Sequence, residues 1–264
     1  MGICYDLIAA DSSCKSSSQM SSDFSYLKSQ GYGMIRTYDI GCDLGKVRDA
    51  ATGAGVSFMI GLNSIANLQA DLAKLVAFMR GNWAGVDTVY IGNELVNSGQ
   101  ASADAVAAAV TTARGILKGA GYNANVVTVD TFVVMQSNPT ICSTSDYCAA
   151  NAHAFFDPNT AASGAGVLVL NVYNAVKAAN GGKRTVITES GWPYKGACNG
   201  KACPGIAEQK TAVNEIISSF AGNAGSMYLF MAYDASYKAA GMFGVEPYFG
   251  IYDQNHYSGG IGSK

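Results

Sequence analysis

Two glutamates each end a short apolar run. Glu94 closes Val86-Asp-Thr-Val-Tyr-Ile-Gly-Asn-Glu94, and Glu189 closes Arg184-Thr-Val-Ile-Thr-Glu189. Each run predicts a buried β-strand with a carboxylate at its C-terminal end, which is where barrel enzymes of alternating strands and helices place their chemistry. Two carboxylates with no metal ligands between them favour cleavage of a glycosidic bond, one as acid and the other as nucleophile.

This chemistry needs one carboxyl group protonated and the other ionised at the working pH. In retaining enzymes the two groups lie about 5–5.5 Å apart, so the second attacks the anomeric carbon directly. Asn93 precedes Glu94, and its amide is well placed to hydrogen-bond a sugar 2-hydroxyl. The competing interpretation is that Glu94 and Glu189 cap helices or pair with surface lysines, as most single glutamates do.

Aromatic side chains supply the second half of a carbohydrate site, because sugar rings stack their C–H faces on π surfaces. The candidates at predicted strand ends on the loop side are Tyr38, Phe155, Phe156, Trp192 and Tyr233. Ordinary core or surface packing competes equally for most of them. Trp192 follows Glu189 by three residues in Glu-Ser-Gly-Trp-Pro, and this favours stacking on a sugar.

His153, near the end of the sixth predicted strand, is a candidate either for bonding a sugar hydroxyl or for setting the charge of Glu189. A purely structural histidine is the alternative. The only other histidine, His256, is expected to be incidental. With two histidines a His-based zinc or iron centre is not expected, and no cofactor or metal is predicted. Ser190 lacks the preceding glycine of a G-x-S-x-G nucleophile elbow.

The chain alternates short β-rich runs with helical stretches. Eight strands are predicted, at Gly2–Leu7, Gly33–Asp39, Ser57–Asn63, Thr88–Glu94, Val126–Phe132, Cys148–Phe155, Arg184–Glu189 and Ser226–Asp234. Eight strand–helix units predict a (β/α)8 TIM barrel with right-handed crossovers. The competing fold is a doubly wound open sheet, but no glycine-rich phosphate loop follows the first strand.

Composition limits the classes of function. The chain has 264 residues, 49% hydrophobic residues and a net charge of −2, which fits one catalytic barrel domain over residues 1–264, expected to be a monomer. It has no block of basic residues, so nucleic acid and anionic membranes are not expected partners. No apolar run reaches the roughly 18 residues of a membrane span.

Seven cysteines indicate an oxidising compartment. Cys142 and Cys148 share one short loop, as do Cys198 and Cys203, while Cys14 and Cys42 each follow a strand closely and would meet on the loop face of a barrel. Three disulfides would leave Cys4 as the odd thiol. Reduced structural thiols are the alternative, and zinc spacing is absent. The chain opens Met1-Gly-Ile-Cys with no basic segment or apolar signal core. For a secreted protein we expect that an initiator methionine has replaced the targeting peptide.

At these residues the sequence is similar to glycoside hydrolase family 17, the 1,3-β-glucanase family. The resemblance covers nearly the whole chain and is closest to the fungal cell-wall glucanases and glucanosyltransferases. It depends on the motifs Val89-Tyr-Ile-Gly-Asn-Glu94, Val186-Ile-Thr-Glu-Ser-Gly-Trp-Pro193, Met34-Ile-Arg-Thr-Tyr-Asp39, Asn151-Ala-His-Ala-Phe-Phe156 and Tyr248-Phe-Gly-Ile-Tyr-Asp253.

The resemblance implies a (β/α)8 barrel, a retaining mechanism, Glu94 as acid/base and Glu189 as nucleophile. It also implies a sugar groove lined by Tyr38, Asn93, His153 and Trp192. Two departures matter. Only about 27 residues separate the sixth and seventh strands, so no large extra subdomain is expected there. Ala235 replaces an acidic residue of many relatives, which leaves a simpler charge network behind the nucleophile, with three candidates: Asp234, Lys238 and Glu246.

The resemblance further implies a metal-free extracellular or cell-wall enzyme acting on 1,3-β-glucan and laminarioligosaccharides by double displacement. We expect a 1,3-β-glucanosyltransferase with residual endo-1,3-β-glucanase hydrolysis. The alternatives are a purely hydrolytic enzyme, a barrel acting on another β-glycan, and a non-catalytic β-glucan-binding barrel.

Overall fold

In a computed structural model, which describes residues 1–252, eight parallel strands close into a barrel in sequence order. The strands are β1 Gly2–Cys4, β2 Met34–Arg36, β3 Ser57–Leu62, β4 Val86–Asn93, β5 Asn125–Thr131, β6 Cys148–Asn151, β7 Thr185–Ser190 and β8 Met227–Leu229. The predicted (β/α)8 barrel is therefore confirmed, and the open doubly wound sheet is excluded.

Helices connect the strands. They are α1 Ser17–Ser29, α2 Leu44–Ala54, α3 Leu68–Met79, α4 Ala103–Gly119, α5 Phe132–Ser137, α6 Pro139–Thr144, α7 Ala165–Ala179 and α8 Ile206–Ser219. The short segment between β5 and β6 holds only the two short helices α5 and α6. Between β6 and β7 lie α7 and two short 3-10 helices, so the expectation of no large subdomain there is also confirmed.

Helix α4 shows how local sequence sets these elements. The Ser102 side chain accepts a hydrogen bond from the Ala105 amide and so caps the first turn. Val106, Val110 and Leu117 recur at helical spacing, and all three are buried. The helix therefore packs its apolar face on the barrel.

Four predicted strands extend three or more residues beyond the C-terminal ends of the observed ones. The segments expected to continue β1, β2, β6 and β8 as far as Leu7, Asp39, Phe155 and Asp234 leave the sheet at Cys4, Arg36, Asn151 and Leu229. Their side chains stay apolar because they are buried: Tyr5, Leu7 and Phe155 are at most 2% exposed. Segments buried at the barrel mouth therefore have the apolar pattern of a strand although they do not pair with a neighbouring strand.

Irregular pairing occurs where β4, β6 and β7 approach their C-terminal ends. The register shifts between Tyr90 and Asn93, between Ala150 and Asn151, and between Ile187 and Ser190. Such bulges bend a strand and re-aim its side chains. They place the polar residues at these strand ends toward the barrel mouth.

Three disulfides join the predicted pairs, Cys14–Cys42, Cys142–Cys148 and Cys198–Cys203, while Cys4 is a buried free thiol. Within residues 1–252 no helix is both long and apolar enough to span a bilayer. The same residues contain no cluster of three or more metal-ligating side chains. His256 and Asp253 lie outside the described residues.

Candidate active site

A cleft of about 300 Å³ opens at the C-terminal end of the barrel. We call it the carboxylate cleft. It is lined by Asp6, Tyr38, Asn63, Asn93, Glu94, His153, Phe156, Glu189, Phe230, Tyr237, Lys238, Glu246 and Phe249. Both sequence-predicted glutamates therefore face one cavity, although 95 residues of chain separate them.

Glu94 follows directly after β4 and is held by its backbone. Its φ of +54° is a left-handed conformation that non-glycine residues rarely adopt, and its amide donates to the Val129 carbonyl at 2.9 Å. Its Oε1 accepts a hydrogen bond from Asn151 Nδ2 at 2.8 Å. The strained turn directs the carboxyl group into the carboxylate cleft instead of along the helix side of β4.

Glu189 lies on β7 and is only 7% exposed. Its Oε1 accepts hydrogen bonds from Arg36 Nη1 at 2.6 Å and from the Tyr38 hydroxyl at 2.9 Å. His153 Nε2 lies 3.2 Å from Oε2. Three side chains thus hold this carboxylate in one orientation.

Arg36, at the end of β2, is fully buried and pairs with Glu189. Besides Glu189, its Nη1 contacts the Thr188 carbonyl at 3.1 Å, and its Nη2 donates to Asn93 Oδ1 at 2.8 Å. Asn151 completes the network, because its Oδ1 accepts from Thr188 Oγ1 at 2.9 Å. One buried cation therefore organises polar groups from β2, β4, β6 and β7.

The same network orients Asn93. Its Oδ1 is occupied by Arg36 and by Asn151 Nδ2, the latter at 3.3 Å. The Nδ2 group of Asn93 is consequently the one left to donate to a bound hydroxyl. Its predicted contact with a sugar stays a prediction that this geometry favours.

The two carboxyl groups have pKa values displaced in opposite directions. Burial and the nearby Glu189 charge raise the pKa of Glu94, and the Asn151 hydrogen bond only partly offsets this. Burial alone would also raise the pKa of Glu189, but the Arg36 charge and the His153 hydrogen bond outweigh it and lower the pKa to about 2. Glu94 is therefore the group suited to hold a proton, while Glu189 stays ionised.

Two residues that were predicted to stack on a sugar do not line the carboxylate cleft. Trp192 and Phe155 are both fully buried; their rings pack edge to face, with centroids 5.4 Å apart, and Trp192 Nε1 donates to the Cys203 carbonyl at 2.9 Å. The prediction that they contact sugar is wrong in this structure, because neither offers a face to the cleft. They pack against the Cys198–Cys203 disulfide loop, where Asn199 Nδ2 also donates to the Phe155 carbonyl.

Other aromatic side chains line the carboxylate cleft instead. Tyr38 and Phe156 were candidates from the sequence, and Phe156 is 40% exposed. Phe230, which follows β8, and Phe249 also face the cleft, and each packs edge to face on His153. Burial raises the pKa of Tyr38, so its hydroxyl remains a donor to Glu189.

The expected charge network behind the nucleophile is only partly present. Lys238 and Glu246 line the carboxylate cleft, and the Lys238 charge helps to lower the pKa of Glu189. Asp234 instead accepts hydrogen bonds from the Tyr194 hydroxyl and the Gly250 amide, and with Tyr233 it lines a separate cavity. Asp234 therefore does not lie behind Glu189 as predicted, and Tyr233 does not line the carboxylate cleft.

Sequence reasoning missed two residues of the polar network, Arg36 and Asn151, and also five cleft-lining residues: Asp6, Asn63, Phe230, Tyr237 and Phe249. The first two matter most for the charge of the glutamates. Both stand inside motifs that were recognised, but neither was assigned a role. The signal was available for Arg36, because an arginine inside a buried strand requires an anionic partner. Asn151 offered no such signal, since a buried amide has many possible partners.

Comparison with known proteins identifies the family. A family profile described as the BtgE/BtgC glycoside hydrolase domain matches residues 2–250. This chain belongs to the BtgE/BtgC glycoside hydrolase family. The resemblance to glycoside hydrolase family 17 is confirmed as well, since the probable family 17 glucosidase SCW10 of Saccharomyces cerevisiae is 42% identical over 95% of this chain.

Other members of this glycoside hydrolase family are similar but longer. The cell surface mannoprotein MP65 of Candida albicans is 38% identical over 95% of the chain, and a probable beta-glucosidase btgE of Aspergillus fumigatus is 32% identical over 96%. The chain spans 64% of SCW10, 66% of MP65 and 45% of btgE.

Solved structures share the barrel of this family member. A family 17 beta-1,3-glucanosyltransferase from Rhizomucor miehei superposes with a TM-score of 0.83 at 20% identity, over 97% of this chain and 94% of that one. An active-site mutant of the same organism's enzyme, in complex with laminaritriose, has the same TM-score at 19% identity. At this identity the likeness establishes the fold.

Replacing Arg36 with methionine tests how the pKa of Glu189 is set. We expect a loss of about 3–5 kcal/mol in the free energy of unfolding, because a buried carboxylate loses its paired cation. In the unmodified protein the folded-state pKa of Glu189 lies below its ordinary value of 4.5. Ionised Glu189 therefore stabilises the fold above pH 4.5, and this stabilisation is lost as the pH falls toward 2. The variant should lose that stabilisation, as denaturant titrations between pH 2 and 7 would measure.

The acidic limb of the pH–activity profile should also move to higher pH in the Arg36→Met protein. Arg80 is an exposed arginine after α3, so Arg80→Met supplies the same substitution away from the cleft and should leave both measurements unchanged. An unaltered acidic limb in Arg36→Met would show that Arg36 does not control Glu189.

Proposed function

We propose that this chain is a retaining glycoside hydrolase or transglycosylase acting on 1,3-β-glucan. One observation carries the proposal: Glu94 and Glu189 face the same cleft, and their pKa values are displaced in opposite directions. That arrangement supplies a proton donor and an ionised nucleophile at one pH. A non-catalytic β-glucan-binding barrel would have no need for either feature.

In the proposed reaction, Glu94 protonates the departing glycosidic oxygen while a Glu189 oxygen bonds to the anomeric carbon. The covalent intermediate leaves Glu94 ionised. Glu94 then accepts a proton from the incoming hydroxyl, whose oxygen bonds to the anomeric carbon and displaces Glu189. Arg36 and Tyr38 hold Glu189 through its Oε1. Within residues 1–252 the hydrogen-bond partner of Oε2 is His153, so Oε2 is the oxygen better placed to attack.

The proposed substrate class is 1,3-β-glucan and its oligosaccharides. An active-site mutant of the Rhizomucor enzyme with the same fold is in complex with laminaritriose, and two of the relatives above are named as probable glucosidases. The cleft itself offers aromatic surfaces at Tyr38, Phe156 and Phe230 beside amide and charged groups. Such a mixture suits a neutral, hydroxyl-rich chain.

The acceptor decides whether the activity is transfer or hydrolysis. A sugar hydroxyl gives a longer glucan, and water gives a shorter one. We propose a 1,3-β-glucanosyltransferase with residual endo-hydrolysis, in line with the Rhizomucor enzyme. The glucosidase names of the sequence relatives favour the purely hydrolytic alternative.

Product analysis over time on a single pure laminarioligosaccharide tests this proposal. We expect products longer than the substrate to appear early at high substrate concentration, because the sugar hydroxyl then competes with water for the glycosyl intermediate. Mass spectrometry identifies them directly. Shortened products alone would establish hydrolysis, and an absence of any product would exclude this substrate class.

The proposed location is extracellular or in the cell wall. Three disulfides are typical of an oxidising compartment, and one relative is named a cell surface mannoprotein. A monomer and a single domain over residues 1–264 stay predictions.

A further inference from the structure

A second cavity of about 200 Å³ lies beside the carboxylate cleft. Three segments form it: the loop after β1, the first half of α1 and the segment after β8. Its lining residues are Ile8, Ala9, Ala10, Lys15, Gln19, Asp23, Tyr233, Asp234 and Ser236. We call it the second cavity.

The two cavities share a wall. Asp6 lines the carboxylate cleft, and Ile8, two residues later, lines the second cavity. Likewise, Tyr237 lines the carboxylate cleft and its neighbour Ser236 lines the second cavity. The Tyr237 hydroxyl donates to Asp6 Oδ2, and both residues line the carboxylate cleft next to the chain segments that line the second cavity. A linear ligand leaving the cleft over β1 and β8 therefore enters the second cavity.

The floor of the second cavity is prearranged. The Tyr5 hydroxyl donates to Asp23 Oδ2 at 2.6 Å, and the Lys15 ammonium lies 4.1 Å from the Tyr5 ring centroid and 5.3 Å from that of Tyr233. Tyr5 and Tyr233 pack edge to face, with centroids 6.1 Å apart. The aromatic and charged groups are thus fixed before any ligand arrives, which limits the entropy lost on binding.

The chemistry of the second cavity suits a neutral polyol. Gln19 and Ser236 both donate and accept, Asp23 accepts, Lys15 donates, and Tyr233 adds a ring. Two carboxylates disfavour an anion, and the ammonium group disfavours a cation. The volume is below the roughly 300–1,000 Å³ of pockets for drug-sized ligands, so it fits one small unit of a longer chain.

Strand order sets the direction of that chain. The acid Glu94 follows β4 and must lie on the side of the leaving group. In the closed barrel β8 lies opposite β4 and β1 is the neighbour of β8, so the second cavity is on the side away from Glu94. A sugar there belongs to the donor segment, the part that Glu189 would retain.

We propose that the second cavity is a distal sugar subsite that binds the donor segment of a β-glucan and so sets the length of chain that is transferred. This proposal rests on the function proposed above. It assigns Gln19, Ser236 and Tyr233 to donor recognition, away from the reacting bond.

Ser236→Leu and Gln19→Ala test the subsite, since both residues are exposed and neither substitution disturbs the core. We expect kcat/KM to fall about threefold to tenfold for long laminarioligosaccharides, the effect of one or two lost hydrogen bonds, and to stay unchanged for the shortest substrate cleaved. Hydrolysis in ¹⁸O-labelled water, followed by mass spectrometry, shows which bond of the oligosaccharide is cleaved. In the variants we expect cleavage to shift to bonds that leave a shorter donor segment.

Ser25→Leu is the matched control, because Ser25 is an exposed serine of the same helix α1 that does not line the second cavity. It should retain the wild-type length preference. An equal loss on all lengths, or an unchanged cleavage pattern in Ser236→Leu, overturns the subsite while leaving the enzyme assignment intact. Failure of the unmodified protein to cleave any length overturns both.

Discussion

The Glu189→Ala protein should turn over 1,3-linked oligosaccharides at least about 10⁴-fold more slowly than the wild type, as expected when a covalent nucleophile is removed. The reason is geometric: Arg36, Tyr38 and His153 present this one ionised carboxylate to the cleft. Steady-state rates on a purified oligosaccharide measure the loss. Binding of the same oligosaccharide, followed by calorimetry, should persist.

Azide provides a sharper readout for Glu189→Ala. A small anion in the space left by the side chain attacks the anomeric carbon from the face that Glu189 occupied. With an aryl glucoside whose leaving group departs without protonation, the product should be the α-glucosyl azide. Recovery of this inverted product would identify Glu189 as the nucleophile.

Glu208→Ala is the control for this experiment, since Glu208 is an exposed glutamate on α8 outside the cleft. Its turnover should match the wild type. A melting curve shows whether the Glu189→Ala protein is folded, because Arg36 loses its partner there. A folded Glu189→Ala protein with wild-type turnover would remove the catalytic assignment and favour the non-catalytic binding barrel.

Glu94→Gln should slow the cleavage of oligosaccharides by about 10²–10⁴-fold, the usual contribution of general acid–base catalysis. Glutamine keeps the acceptor oxygen for Asn151 Nδ2 but has no proton to give. Aryl glucosides with good leaving groups should lose much less in the first step. Deglycosylation should then be slow, so mass spectrometry should detect a glycosyl adduct on Glu189.

The pH dependence of Glu94→Gln separates catalysis from structure. In the wild type, activity should fall at higher pH as Glu94 loses its proton, and this basic limb should vanish in the variant. The raised pKa of Glu94 means that its ionisation destabilises the fold increasingly as pH rises above the unfolded-state value. The variant should therefore melt at a higher temperature at neutral pH, whereas Glu208→Gln should show neither change.

A wild-type basic limb retained in Glu94→Gln would assign the proton donor to another group. An acceleration of aryl glucoside cleavage by azide, with a β-glucosyl azide as product, would support Glu94 as acid/base. This outcome differs from that of Glu189→Ala because azide replaces the incoming hydroxyl, on the face where Glu94 acts.

The sequence by itself determined the barrel, its eight strands, the three disulfides and the two glutamates. Most of these features depend on short-range patterns, whereas the Cys14–Cys42 pair, 28 residues apart, was expected from the barrel that brings the two loops together. Alternating apolar runs and helical spacing report burial, and a carboxylate that ends a buried strand has few places to go except the barrel mouth.

Only the tertiary structure decided how the mouth is built. Trp192 and Tyr38 both follow apolar strands, yet Trp192 faces the protein interior and Tyr38 the cleft. A linear pattern reports that a side chain is buried and not which surface buries it. The division of pKa values also needed the fold, because Arg36 and Asn151 come from strands far from both glutamates in sequence, and electrostatic interactions depend on distance in space.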